Sequence, residues 1–170
     1  MVMRLTSDSK KGKLSRIISL ESLHTDKTIT ADGHTITMTG YPTPVSGDKR
    51  VGDAWKNGLK YAQQLVVKNK GGKISVVDGT KLKVEDADEI IVLMSAATNY
   101  VQCMDDSYNY FSQEDPLEKV QATLHKVADK KYTALLATHQ KDYHSLYDRM
   151  RLNLGNLPEA PVAPTDSLLK

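Results

Sequence analysis

The chain lacks most of what a small enzyme or a stapled domain depends on. One cysteine, Cys103, stands in 170 residues, which excludes an intrachain disulfide and any multi-thiolate zinc site. No run of about 18 apolar residues is available to span a bilayer, and the N-terminus has no apolar signal-like stretch. No charge sign dominates: 23 basic and 21 acidic residues leave a formal +2, with the signs interspersed. Such a balance creates no field that would draw in phosphate backbones, so neither nucleic acid nor membrane is an expected partner. The nucleophile and phosphate motifs are missing too: there is no G-x-G-x-x-G, P-loop, H-E-x-x-H or G-x-S-x-G. No cofactor or metal is expected. The densest basic spot, Lys10, Lys11 and Lys13, lies in a polar run between two apolar ones and is read as a solvated hairpin turn.

What the chain does have is a strand-like half followed by a helix-like half. Leu14, Ile17, Ile18 and Leu20 form one extended run. Asp32-Gly33, flanked by alternating β-branched and polar residues, predicts a hairpin over residues 27 to 40. Pro42 and Pro44 end it, and a loop is expected to about residue 56. A second β region runs from Leu59 to Val67, turns at Asn69-Lys70-Gly71-Gly72, and returns through Lys73 to Val77. Asp78-Gly79 predicts another hairpin into Lys81-Leu82-Lys83-Val84, so the region reads as an antiparallel meander. The nearly continuous apolar run from Ile90 to Met94 is expected to be a central strand covered on both faces.

After an aromatic loop, Asp115-Pro116-Leu117-Glu118 carries the signature of a helix start: a capping aspartate, proline at the first position and a glutamate three residues after the cap. Leu117, Val120, Leu124 and Val127 follow at helical spacing. A second helix, about 132 to 150, places Leu135, Leu136, His139, Tyr143, Leu146, Tyr147 and Met150 on one stripe. The tail from Leu157 to Pro164 is a proline-rich linker. The fold class is therefore mainly β with C-terminal helices: an incomplete antiparallel β-sandwich (1–101), two linker helices with a short extended segment (102–155), and a proline-rich linker (156–170).

Catalytic groups are hard to find in this pattern. Glycoside chemistry needs two carboxylates facing one bond. The clusters Asp86, Asp88 and Glu89, Glu114 and Asp115, and Asp105 and Asp106 all have simpler roles in turns and caps. His139 and His144, five apart on a helix, face different ways and do not suit one metal. Sugar binding needs exposed aromatic rings beside polar groups, and Trp55, Tyr41, Tyr100, Tyr108 and Tyr110 are the candidates. The simpler reading is that these rings plug the sandwich ends or the helix interface.

Several segments in order resemble glycoside hydrolase family 95, the α-L-fucosidases and their relatives. They are Gly58-Leu59-Lys60-Tyr61-Ala62, Gly71-Gly72, Ala87-Asp88-Glu89 through Ala97-Thr98-Asn99-Tyr100, and Asp115-Pro116. Tyr132, His139, Asp142-Tyr143, Asp148-Arg149, Leu152-Asn153-Leu154-Gly155 and Pro164-Thr165-Asp166 follow. The resemblance implies the second half of an N-terminal β-sandwich and the helices that link it to an (α/α)6 catalytic barrel outside this chain. It implies a non-catalytic domain that packs on that barrel and shapes its active site, with His139, Tyr143, Tyr147 and Arg149 as interface residues. No catalytic residue of the family maps onto this chain. A fucosylated glycan and a periplasmic or secreted location follow from the resemblance alone. Ser167-Leu168 depart from the charged pair usual after Pro-Thr-Asp, and the family's sandwich begins with further upstream strands. Uncovered strand edges would favour a homodimer. The alternative is a free-standing carbohydrate-binding β-sandwich, which would have no need of the helix pair or the Pro-Thr-Asp tail.

Overall fold

A computed structural model describes residues 1–7, 13–42, 58–102 and 111–152. Two units are distinguished, Met1–Tyr132 and Thr133–Lys170. The first holds eight described strands: β1 (Val2–Thr6), β2 (Leu14–Ile18), β3 (Lys27–Asp32), β4 (Thr35–Gly40), β5 (Tyr61–Lys70), β6 (Lys73–Val77), β7 (Lys81–Ala87) and β8 (Glu89–Thr98). They form two antiparallel sheets, one ordered β1-β8-β5-β4-β3 and one ordered β2-β7-β6. Helix α1 (Pro116–Ala128) follows, and α2 (Tyr132–Tyr147) carries the chain into the second unit.

Period-two alternation assigns each side chain its layer. Ile36, Leu65, Val67, Leu82, Val84, Ala87, Ile90 and Val92 are the buried cluster between the sheets. The register agrees, with Ile36 opposite Leu65 and Val67 opposite Val92. Each fully buried Val, Leu or Ile contributes roughly 1.5–3 kcal/mol. The other face of the larger sheet turns Leu93, Ala62 and Gln64 towards α1, which contacts β8 and β5 and buries Pro116, Val120 and Leu124. Gln64 is satisfied there by donating to Thr37 Oγ1 at 2.8 Å. The double coverage expected for the Ile90–Met94 run is present. Yet β8 lies one place from the sheet edge, and β5 holds the middle.

Both Asp-Gly hairpins form where expected. Asp32 pairs with Thr35. At the second, Asp78 and Gly79 both take positive φ (52° and 64°), and the Thr80 N–H donates to the Val77 carbonyl, the geometry of a type I′ turn. Two expected connections are corrected. The meander fails at Gly71-Gly72, because β5 pairs with β4 and β8 whereas β6 pairs only with β7. The chain there crosses from one sheet to the other. Likewise β1 pairs with β8 and β2 with β7, so β1 and β2 are not paired with each other as a hairpin. Lys10 and Lys11 lie outside the described residues, and Lys13 forms an ion pair with Asp88.

Gly72 makes the crossing possible. It takes φ +65°, and a Cβ there would meet the Glu85 carbonyl oxygen at 2.0 Å. The return crossing from β7 to β8 bends at Asp86, which holds φ +55° while its N–H donates to Ser15 Oγ.

Candidate functional site

The described carboxylate clusters have structural roles. Asp88 pairs with Lys13, Glu89 accepts from Arg4 Nε at 2.6 Å, and Glu114 meets Lys119 at 2.5 Å. Asp115 Oδ1 accepts the Leu117 N–H at 2.9 Å, capping α1. Asp105 and Asp106 lie outside the described residues. On the outer face of the smaller sheet, Glu85 is held below the ordinary glutamate range, first by its hydrogen bond with Lys83 and then by Lys73. Among the described residues no group of three His, Cys, Asp or Glu could hold a metal ion, and no helix is long and apolar enough to cross a membrane.

At the end of the larger sheet a buried asparagine joins three segments. Asn99, 4 % exposed, accepts the Lys60 N–H at 2.7 Å and donates through Nδ2 to the carbonyls of Gly58 at 2.8 Å and Ser112 at 3.3 Å. Its own N–H donates to the Lys60 carbonyl, and its carbonyl accepts the Ser112 N–H. Gly58 is glycine by necessity, since a Cβ there would lie 2.3 Å from the Phe111 ring. Two of the sequence segments singled out above, around Gly58 and around Asn99, thus meet in one structural joint.

Beside this joint is a cavity of about 160 Å³ between the ends of β3, β4 and β5 and the start of α1. Tyr41, Tyr61, Asp26, Lys60, Thr39 and Asp115 line it. The Asp26 carbonyl accepts the Tyr41 N–H at 3.0 Å, which fixes the tyrosine backbone at the rim. The Tyr61 ring packs on His24 with centroids 5.5 Å apart, and its hydroxyl is buried without a hydrogen-bond partner.

Of the proposed sugar-contacting rings, the cavity therefore takes Tyr41. Tyr100 is half exposed, bridges Phe111 and does not line the cavity. Trp55, Tyr108 and Tyr110 lie outside the described residues. Sequence reasoning did not single out Asp26, Lys60 or Tyr61 for this place. The one signal was that Lys60 and Tyr61 sit within the Gly58–Ala62 segment, adjacent to the glycine that admits Phe111.

The proposed interface residues fall together on the second unit. His139 and Tyr143 have ring centroids 6.3 Å apart, and Tyr143 stacks on Tyr147 at 5.1 Å and 18°. Arg149 follows in the turn after the helix, its N–H donating to the Leu146 carbonyl. No residue of α2 is buried. Tyr143, Leu146, Tyr147 and Met150 are 49 %, 63 %, 64 % and 83 % exposed.

Comparison with known proteins places the chain in a family. The sequence model described as "Glycosyl hydrolase family 65, N-terminal domain" matches residues 1–103, more than half of the chain. A protein named alpha-L-fucosidase 2 of Arabidopsis thaliana is 31 % identical over 161 residues, covering 86 % of this chain and 18 % of the relative. A protein named probable alpha-fucosidase A of Aspergillus niger is 26 % identical over 174 residues, covering 99 % of this chain and 20 % of the relative. The chain thus spans about a fifth of the length of these relatives. The matching model carries the number 65, not 95; the common ground with the resemblance is an N-terminal domain of a glycoside hydrolase.

Proposed function

Because this chain belongs to the glycosyl hydrolase family 65 N-terminal domain family and matches fucosidase-named relatives, we propose that it is a non-catalytic domain of an α-L-fucosidase-like enzyme. In this reading it packs on a helical catalytic barrel, of the family 95 kind, through the stripe on α2 and so shapes the barrel's active site. The observation that carries the reading is the stripe itself. Leu136, Tyr143, Leu146 and Tyr147 are large, apolar and exposed on α2, with Met150 exposed just beyond its end, and soluble monomers seldom leave such a surface uncovered. The stacked Tyr143 and Tyr147 rings fit the anchor residues that dominate protein interfaces. Each described carboxylate cluster singled out for acid–base work has a turn, cap or ion-pair role, which supports the non-catalytic part.

The test is reconstitution. The Arabidopsis relative, expressed without its matching segment, is mixed with this chain and followed by gel filtration. Co-elution with the wild-type chain, reduced at least tenfold in a Tyr143→Ala, Leu146→Glu double variant, is the expected outcome. Equal co-elution of wild type and variant would remove α2 as the interface.

A further inference from the structure

We propose that Arg4 and Glu89 stand in for the N-terminal cap that α2 lacks. By holding the Tyr132 ring they keep the first turn of α2 formed, and with it the root of the exposed stripe. Docking through the stripe does not by itself require this, so the latch goes beyond the docking role and is tested without it.

The need for a latch follows from α2 itself. The helix has 16 residues, a length at which an isolated helix is marginal in water, and none of them is buried. Its start is poorly equipped. Lys131 precedes it, a side chain with no acceptor for the free N–H groups of a first turn. No acidic residue stands in that turn, and Lys130 and Lys131 bring positive charge to the end of the helix dipole that favours negative charge. In contrast, α1 has Asp115 accepting the Leu117 N–H, Pro116 at its first position and Glu118 in its first turn.

What α2 does have at its start is Arg4. Thr6 stands opposite Glu89 and Arg4 opposite Ile91, so period-two alternation puts Arg4 and Glu89 on one face of the larger sheet, as diagonal neighbours. It is the face that Leu93 turns towards α1. There Arg4 donates through Nε to Glu89 Oε2 at 2.6 Å, with Nη2 2.5 Å from the same oxygen. Two nitrogens on one oxygen restrain the guanidinium, whose Cζ lies 5.1 Å from the centroid of the Tyr132 ring, within cation–π reach. Tyr132 is the first residue of α2 and the last of the first unit. In α2 only Tyr132 and Leu135, one turn apart, are even half-buried, and the remainder is exposed. What burial the helix has is thus concentrated at the end that the guanidinium holds.

The test is amide hydrogen exchange on the ¹⁵N-labelled 170-residue chain, read at Leu136 and Ala137, whose helical acceptors are the carbonyls of Tyr132 and Thr133. Arg4→Met removes the charge and keeps an unbranched stem; Tyr132→Ala removes the ring. Each should speed exchange at these two amides about two- to fivefold and leave the α1 amides of Val120 and Leu124 unchanged. Tyr132→Phe, which keeps the ring, should stay close to wild type. The alanine variant discriminates most sharply: alanine is a better helix former than tyrosine, so without a latch Tyr132→Ala would slow the exchange. Unchanged or slower exchange in either variant would overturn the proposal, as would equal acceleration in α1, the mark of a general loss of stability. Because exchange is read on the chain alone, unchanged rates with docking intact remove only the latch, and accelerated exchange without docking removes only the interface.

Discussion

Gly72 and Asn99 show how single residues of this chain are fixed by their surroundings. Gly72→Ala combines positive φ with a contact of 2.0 Å to a backbone carbonyl, and relief requires the crossing itself to move. We expect a loss of about 2–4 kcal/mol, read as a lowered urea midpoint. Asn99→Ala strands the Lys60 N–H and the Gly58 and Ser112 carbonyls, and should cost about 2–3 kcal/mol in the same measurement. Glu85 gives a pH-dependent case. Its folded pKa is depressed by Lys83 and Lys73, so its stabilising contribution is present above its unfolded pKa and is lost as the pH falls through the folded value. The difference in urea midpoint between wild type and Glu85→Gln should therefore be present at neutral pH and vanish on acidification; a difference that persists in acid would contradict the assignment. The carboxylates were legible as turn and cap residues because their neighbours in sequence define those roles. The joint at Asn99 was not, because two of its partners, Lys60 and Gly58, are 39 and 41 residues away.

Elements were legible wherever a local signal names them. The two Asp-Gly hairpins follow from turn chemistry, and α1 from its cap, its first-position proline and its apolar spacing. The sheet crossing at Gly71-Gly72 was hidden. A hairpin and a crossing leave the same alternation on either side of a glycine pair, and only long-range pairing distinguishes them. The helices make opposite predictions. Leu124→Ala removes a buried side chain from the contact of α1 with the larger sheet and should lower stability by about 2–4 kcal/mol. Leu146→Glu changes an exposed position and should leave the stability of the isolated chain within about 0.5 kcal/mol while weakening docking. A large loss of stability at Leu146 would mean that the stripe packs within this chain.

For the molecule as a whole, the fold class was legible and the partners were inferred from likeness. The strand edges are unequally guarded. The β3 edge donates the Ala31 N–H to the Gly79 carbonyl, and β2 carries an irregular register between Leu14 and Arg16. The β1 edge exposes Val2 and Met3, and its one charge, Arg4, is tied to Glu89 and lies over the Tyr132 ring. We expect concentration-dependent dimerisation through β1, detected by gel filtration and suppressed by Met3→Lys. A monomer at every concentration would exclude it. The central claim is that the chain serves a glycoside hydrolase without performing the hydrolysis. Its most direct test is aryl α-L-fucoside hydrolysis by the purified 170-residue chain alone. The account predicts a rate equal to buffer; turnover that scales with the concentration of the chain would contradict it.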